Sequence, residues 1–298
     1  MGKLIRGISK NARFMVIDST DVVQKALEIH NSSPTAIAAL GRAVTAALMM
    51  GQEIKVDNGS VTIRIDSDGP AKQLIVTSDN KGNVKGYIAN DKEVIERKAN
   101  GKLDVGSYIG KGFLKIIKDI GGKEPYVGIS PLQSGEIAED IAYYYFTSEQ
   151  IPSVVALGVF VDKDMSIKHA GGYMVQLLPG AEDDFITKLE EKIKAIRSVT
   201  ELMEGGMNPE RIAKLLYEDM SSENPDDLVE EYKILDTVEV NYSCDCNKEK
   251  FFRGIVSLGK DEINHLLEND EDIEVECHFC KAKYSFNKDD FKLILENN

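Results

Sequence analysis

Four cysteines near the end of the chain are the residues whose types and spacing most clearly indicate chemistry. Cys244 and Cys246 form a Cys-x-Cys pair, Cys277 and Cys280 form a Cys-x-x-Cys pair, and the 243 residues before them contain no cysteine. Two close thiol pairs separated by 30 residues are typical of a zinc site with four thiolate ligands. The same spacing also suits two disulfides, so metal binding and oxidation are both open at this point.

Two histidines are the alternative metal ligands. His278 lies inside the Cys277-His278-Phe279-Cys280 segment, where the turn directs the two sulfurs at a metal and points the side chains between them away. His265 falls in a short helix predicted over residues 261–268, and we expect it on the surface of that helix. Ligation by the four cysteines is therefore favoured over any set that includes a histidine.

The segment that carries the cysteines is short for an independent domain. Residues 241–298 number 58 and offer a small apolar core. A structural zinc ion contributes about 10–16 kcal/mol to the folding of small zinc modules, so we expect loss of the metal to unfold this tail. The side chains predicted to form its core are Ile263, Leu266, Leu267, Tyr284, Phe286, Phe291 and Leu293.

The first 180 residues show the periodicities of a mixed α/β domain. Residues 74–77 and 84–88 flank a turn-rich stretch and predict a hairpin, while residues 34–50 predict an alanine-rich helix with Pro34 at its start. Strands grouped together between long helices favour an α+β fold over a doubly wound sheet. The other predicted strands cover residues 14–17, 60–65, 154–161 and 173–178.

Residues 181–240 differ from the preceding domain in charge and periodicity. Their apolar side chains recur at helical spacing, and they hold 17 acidic and 7 basic residues, whereas residues 1–180 have a net charge of +1. We therefore predict three parts. These are an N-terminal mixed α/β domain over residues 1–180, an acidic helical linker over residues 181–240 and a small C-terminal zinc-binding domain over residues 241–298.

The charge and composition of the chain argue against some partners. The net charge is −14, to which residues 241–298 contribute −5, so the cysteine segment lacks the basic face that nucleic acids require. No stretch reaches the roughly 18–20 uninterrupted apolar residues of a membrane span, and the first residues lack the apolar core of a secretory signal. We expect a cytoplasmic protein without nucleic-acid or membrane partners, in a compartment that keeps thiols reduced.

The cysteine quartet and several shorter motifs resemble the heat shock protein 33 family. The four cysteines follow an N-terminal α/β domain and an acidic helical segment, and the resemblance covers nearly the full chain. The motifs that carry it are Gly41-Arg42, Ser134-Gly135-Glu136-Ile137-Ala138-Glu139-Asp140, Gly171-Gly172-Tyr173, Gln176-Leu177-Leu178-Pro179-Gly180, Phe252-Arg253-Gly254, Asp261-Glu262 and Leu266-Leu267-Glu268.

The resemblance implies a redox-regulated chaperone and not an enzyme. It implies that the reduced form is inactive and binds one zinc ion per chain through Cys244, Cys246, Cys277 and Cys280. Oxidation then forms the disulfides Cys244–Cys246 and Cys277–Cys280, zinc leaves, and the tail and linker unfold. The active form is a homodimer that holds unfolded or partly folded client proteins under oxidative stress without ATP.

We expect the linker to supply the surface that holds client proteins. Its acidic residues repel one another, which limits its stability once the tail is lost, and their charge keeps the segment in solution. In the reduced state the same apolar residues pack as ordinary helices. The residues predicted to contact clients are Phe185, Ile186, Leu189, Ile193, Ile212 and Leu215.

Two other functions are the alternatives to this interpretation. A thioredoxin-like thiol-disulfide oxidoreductase could use Cys277 and Cys280, but that class places its motif after a first strand at a helix N-terminus. A metabolic enzyme would need a catalytic site in the front domain, where residues 101–112 are rich in glycine. In this stretch Gly110-Lys111 is followed by Gly112 and not by the Ser or Thr of a phosphate-binding loop, and no glycine lies five residues before Gly110. We therefore expect a glycine-rich turn beside a strand.

Overall fold

The computed structural model describes residues 2–218, 231–269 and 272–292. The chain forms two compact units, Met1–Tyr242 and Ser243–Asn298. The predicted start of the tail, residue 241, lies two residues before the second unit, and the predicted boundary at residue 180 falls inside the first unit. That inner boundary stays a prediction. Leu293, predicted as a core residue of the tail, lies outside the described residues.

A ten-stranded sheet forms the framework of the first unit. Its strands are β1 (Gly2–Ile8), β2 (Ala12–Asp18), β3 (Ser60–Ser67), β4 (Gln73–Asp79), β5 (Asn83–Ile88), β6 (Gly112–Asp119), β7 (Tyr126–Pro131), β8 (Ser153–Val161), β9 (Ile167–Leu177) and β10 (Lys233–Tyr242). The spatial order is β7-β6-β3-β4-β5-β10-β1-β2-β9-β8. Only β5 and β10 pair in parallel, and every other neighbouring pair is antiparallel.

Seven helices cover the sheet in the described part of the first unit. They are α1 (Thr20–His30), α2 (Pro34–Gly51), α3 (Val105–Ile109), α4 (Ala138–Tyr144), α5 (Asp183–Ala195), α6 (Val199–Glu204) and α7 (Pro209–Tyr217), and a π-helical turn (Tyr145–Glu149) continues α4. The α+β class and the hairpin β4–β5 are confirmed, and the strands predicted over residues 154–161 and 173–178 correspond to β8 and β9, which pair with each other. The glycine-rich turn predicted over residues 101–112 is wrong in part, because α3 forms there and Asp104 caps its first turn.

Helix α2 is the central core helix of the first unit. Its alanine-rich surface is apolar on nearly every side, with Arg42 as its one charged residue, and such helices are stable when they are enclosed. Its length and mean hydropathy of 1.3 meet the composition of a membrane span, but 89% of it is buried inside the folded unit. The Ser33 hydroxyl accepts a hydrogen bond from the Ala36 N–H, and Pro34 occupies the first turn, so the predicted start is confirmed.

The two faces of the sheet carry different helices. Successive side chains of a strand point to opposite faces, and on β2 Met15 and Ile17 join one apolar cluster whereas Phe14 and Val16 join the other. The first cluster contains side chains of α1 to α4. The second contains side chains of α5, α6 and α7, so the helices of the predicted linker pack on one face of the sheet. Residues 233–240, also predicted as part of the helical linker, form most of β10 and so belong to the sheet itself.

The second unit is small and contains the four cysteines. Its elements are α8 (Lys248–Val256), α9 (Lys260–Asn269), β11 (Asp272–Glu276), β12 (Lys283–Asn287) and a 3-10 turn (Lys288–Phe291). The strands β11 and β12 form an antiparallel hairpin. The helix predicted over residues 261–268 is confirmed. The buried core side chains are Ile255, Ile263, Ile273, Phe286 and Phe291.

Candidate metal centre

The two cysteine pairs lie on two short backbone segments of the tail. Cys244 and Cys246 lie in the stretch before α8, whose first turn is capped by the side chain of Asn247. Cys277 and Cys280 lie in the turn between β11 and β12. The Cys277 N–H donates to the Ala282 carbonyl at 2.9 Å, and the Lys281 N–H donates to the Cys277 carbonyl at 2.8 Å. These bonds close a tight knuckle that presents both sulfurs on one side.

The structure brings all four sulfurs together. Every Sγ lies within 4.8 Å of the others, and the tail's thiols are free of disulfides. The Sγ atoms of Cys244 and Cys277 are 3.8 Å apart, and those of Cys246 and Cys280 are 3.3 Å apart. Tetrahedral thiolate coordination with metal–sulfur bonds of about 2.3 Å separates sulfurs by about 3.8 Å. The spacing therefore fits one four-coordinate metal ion.

The predicted preference for cysteine over histidine ligands agrees with this arrangement. Among the described residues, the four cysteines are the group of ligand atoms close enough to hold a metal ion. The side chains of His265 and His278 are exposed and lie outside that group. Cys277 is buried, whereas Cys244, Cys246 and Cys280 are half-buried, so small oxidants can reach three of the sulfurs.

The surroundings change the pKa values of the sulfurs in opposite directions. Burial raises the pKa of the Cys244 and Cys280 thiols. Burial also acts to raise the pKa of Cys246, but hydrogen bonds from Tyr284 and the other sulfurs outweigh it, and the net shift is downward. Of these three, Cys246 is the thiol that most readily becomes a thiolate, the form in which cysteine binds metal.

Tyr284 is a contact of the centre that sequence analysis assigned only to the core. Its hydroxyl lies 3.3 Å from Sγ of Cys246, and this hydrogen bond raises the pKa of Tyr284 to about 12. The position of Tyr284 on the strand after the second pair, four residues beyond Cys280, is the signal that would have indicated it.

The chain is similar to known proteins over nearly its whole length. A sequence model of a family described as "Hsp33 protein" matches residues 2–287. The chain belongs to the Hsp33 family. It is 42% identical to the "33 kDa chaperonin" of Clostridium botulinum (strain Langeland / NCTC 10281 / Type F) over 298 residues, which are 99% of this chain and 97% of the relative. It is 43% identical to that of Agathobacter rectalis over 282 residues, which are 95% and 94% of the two chains.

A solved Hsp33 structure supports the fold over the same extent. The crystal structure of the 33 kDa chaperonin (heat shock protein 33 homolog) from Thermotoga maritima matches with a TM-score of 0.87 and 31% identity. The match covers 98% of this chain and 97% of that chain. The resemblance predicted from the cysteine quartet and the shorter motifs is therefore confirmed, and the chain is a member of a chaperone family.

The side chains predicted to contact clients are packed against the sheet of this Hsp33-family chain. Phe185, Leu189 and Ile212 are buried, with 3%, 4% and 2% of their surface exposed. Ile193 and Leu215 are partly buried against the same cluster, and Ile186 is half-buried. The structure therefore holds these side chains in helix packing, and their contact with clients stays a prediction.

The linker helices of this Hsp33-family chain make polar contacts with the sheet that the sequence did not indicate. Glu204 of α6 lies 2.6 Å from Nζ of Lys168 and 2.7 Å from Nε2 of His169, both on β9. Glu210 of α7 pairs with Lys3 of β1. These partners are at least 35 residues apart in sequence, so no local pattern identifies them.

Proposed function

We propose that this Hsp33-family chain is a redox-regulated holdase, a chaperone that binds unfolding proteins under oxidative stress without ATP. The observation that supports this function is the sulfur cluster. The four side chains that fit one metal ion are also all the cysteines of the chain. Oxidation of these four cysteines would therefore remove every ligand of the metal, and loss of the metal would unfold the tail.

Zinc is the metal that suits this centre best. Soft thiolates and tetrahedral geometry favour zinc, and a closed set of four protein ligands is typical of its structural sites. Cys244, Cys246, Cys277 and Cys280 would hold one ion per chain, and the bound ion would join the segment before α8 to the β11–β12 turn. Because the core cluster of the described tail has five buried side chains, we infer that the tail depends on this link to fold.

Oxidation by a hydroperoxide would close one disulfide within each cysteine pair. One thiolate attacks a peroxide oxygen, so that an S–O bond forms, the O–O bond breaks and hydroxide departs, leaving a sulfenic acid. The neighbouring thiolate attacks that sulfur, forms the S–S bond and displaces a second hydroxide. In the folded tail, sulfurs of different pairs also approach each other, at 3.8 Å for Cys244 and Cys277 and 3.3 Å for Cys246 and Cys280. The disulfides Cys244–Cys246 and Cys277–Cys280 close far shorter loops, which cost less entropy in an unfolded tail.

Release of the linker would then expose the client surface. The helices α5 to α7 bury apolar side chains against the sheet, and the segment over residues 181–240 has a net charge of −10. Charge repulsion within that segment opposes its docking. In this proposal the folded tail favours the docked linker, so unfolding of the tail shifts the linker toward an undocked state. We propose that Phe185, Ile186, Leu189, Ile193, Ile212 and Leu215 then bind clients, and that the oxidised protein is a cytoplasmic homodimer.

Hydrogen exchange tests this proposal directly. Under reducing conditions with zinc bound, we expect the amides of α5, α6 and α7 to be protected, because these helices pack on the sheet. After peroxide treatment, protection should be lost in the tail and in these helices and retained in the central strands. Helices α5 to α7 that stay protected after both disulfides have formed would contradict the proposal.

A thioredoxin-like oxidoreductase has less support from the structure. Cys277 and Cys280 lie in a turn between two strands, and a redox enzyme of that class needs its motif at a helix N-terminus. An insulin-reduction assay separates the two functions, because a chaperone switch changes state once and does not turn over.

A further inference from the structure

The side chain of Tyr284 is held at the metal centre by two elements of the tail. It lies on β12 opposite Val275 of β11, and its ring packs on Phe251 of α8 with the ring centroids 5.1 Å apart and the planes tilted by 34°. Its hydroxyl lies 3.3 Å from Sγ of Cys246. Because α8 begins two residues after Cys246, both sides of this contact are positioned by the same small core.

The chemistry of a metal-bound sulfur fixes the direction of this hydrogen bond. A thiolate ligand carries no proton, so it can only accept, and the Tyr284 O–H must donate. Backbone N–H groups also reach two of the other sulfurs, from Cys246 to Cys244 and from Ala282 to Cys280. Among the four cysteines of the described tail, Cys246 is the one whose sulfur lies within hydrogen-bond distance of a tyrosine hydroxyl.

We propose that Tyr284 is a positioning residue that donates to the Cys246 thiolate, strengthens metal retention and slows oxidation of that one sulfur. The inference rests on the proposed redox switch, because it concerns the rate at which the switch responds. A lone pair engaged by a hydroxyl is less available to attack an oxidant, and partners that orient metal ligands typically change metal affinity by 10–100-fold. Tyr284 would thus set how much oxidant the tail tolerates before it unfolds.

The oxidation step at Cys246 is a two-electron reaction with a hydroperoxide. The sulfur lone pair attacks the terminal peroxide oxygen, the S–O bond forms and the O–O bond breaks. The displaced hydroxide takes a proton from a buffer acid and leaves as water, and Cys246 is left as a sulfenic acid. In this step the Tyr284 hydroxyl must give up its acceptor, so the hydrogen bond stabilises the thiolate more than the transition state.

The test compares Tyr284→Phe with wild type in the full-length, zinc-loaded protein. Both are exposed briefly to limiting hydrogen peroxide with a 1,3-diketone that traps sulfenic acids, and each cysteine is quantified by mass spectrometry. We expect trapping at Cys246 to rise about threefold to tenfold in the variant, with smaller changes at the other cysteines. Competition with a chelator should show zinc affinity reduced by about tenfold or more.

A control variant separates the effect of the Tyr284 hydroxyl from the effect of aromatic packing in the tail. Phe252→Leu removes ring contacts of α8 with Phe286 and Phe291 but leaves Tyr284 and its ring contact with Phe251, so any change in trapping should be spread over all four cysteines. If Tyr284→Phe does not fold, Tyr284→4-aminophenylalanine retains the ring and a weaker donor and should accelerate Cys246 alone by a smaller factor. Unchanged trapping at Cys246, or equal acceleration of all four cysteines, would overturn the inference.

These outcomes are distinct from failure of the proposed function. Sulfenic acid trapping and zinc affinity are measured without a client protein, so they test the role of Tyr284 alone. If oxidised wild-type protein does not hold clients, the holdase proposal fails and the trapping result at Cys246 still stands.

Discussion

Gly158 of β8 lies directly against Thr200 of α6, so that a Cβ at position 158 would be 2.8 Å from Cγ2 of Thr200 and 3.3 Å from its backbone nitrogen. The nearest atoms to this Cβ all belong to Thr200 and Val199. Helix α6 therefore needs the space that the glycine leaves at position 158 in order to dock on β8.

Gly158→Val should activate the reduced protein without oxidation. Valine suits a strand, but its side chain would force α6 from β8, at a cost of about 1–3 kcal/mol. We expect the zinc-loaded variant to suppress aggregation of a thermally unfolding client under reducing conditions, where wild type does not. Gly158→Ala with Thr200→Ala, which removes Cγ2, serves as the matched control and should stay inactive until oxidised. A Gly158→Val protein that remains inactive would show that docking of α6 does not restrain activity.

Ile186→Glu should weaken client binding by the oxidised protein. Ile186 is half-buried in the docked linker, so the substitution perturbs the reduced fold less than changes at buried Phe185 or Leu189. Loss of an apolar contact of about 1.5 kcal/mol corresponds to roughly tenfold weaker binding of a model client. Lys194→Gln changes the net charge equally on an exposed part of the same helix and should bind as wild type does. Equal affinities for all three proteins would remove Ile186 from the client surface.

Cys277→Ser should abolish metal binding and unfold the tail. The serine hydroxyl is a poor replacement for a thiolate, and structural zinc contributes about 10–16 kcal/mol to small modules. We expect lost zinc and lost amide protection in β11 and β12, whereas the first unit retains its own apolar clusters. His278→Ala in the same turn should bind zinc normally. A protected hairpin in metal-free Cys277→Ser would mean that the tail folds without the ion.

Glu53 should make the stability of the first unit depend on pH. Burial raises its pKa above the ordinary value of 4.5, although it accepts a hydrogen bond from Tyr145 at 2.7 Å and lies near Lys118 and Arg13. The folded state therefore keeps a proton that the unfolded chain has released, so the free energy of unfolding falls as pH rises from about 4.5 through the folded pKa. Denaturant unfolding of full-length Glu53→Gln should lack this contribution. If the free energies of unfolding of wild type and Glu53→Gln differ by the same amount at every pH, the raised pKa of Glu53 would be contradicted.

Local patterns in the sequence were sufficient to predict the cluster of four cysteines and much of the fold. The spacing of Cys244, Cys246, Cys277 and Cys280 is itself the signature of the centre, and the hairpin β4–β5 follows from alternation around a turn. These features depend on residues close to one another in the chain, where periodicity and turn chemistry determine the outcome.

Long-range pairing could not be predicted in this way. Strand β10 lies between β5 and β1, and Nε of Arg6 donates to Asp236 at 2.8 Å across 230 residues of chain. Nothing near either residue indicates the other. The contact of Glu204 with Lys168 could not be predicted either, because it forms only when α6 docks beside β9.

The most direct test of the redox switch follows zinc release and client holding in one oxidation time course. Reduced, zinc-loaded protein is treated with peroxide while a colorimetric chelator reports free zinc and light scattering reports aggregation of an unfolding client. We predict release of about one zinc ion per chain, with suppression of aggregation appearing together with that release and both disulfides. Complete zinc release without suppression of aggregation, or full suppression while zinc is still bound, would contradict the switch.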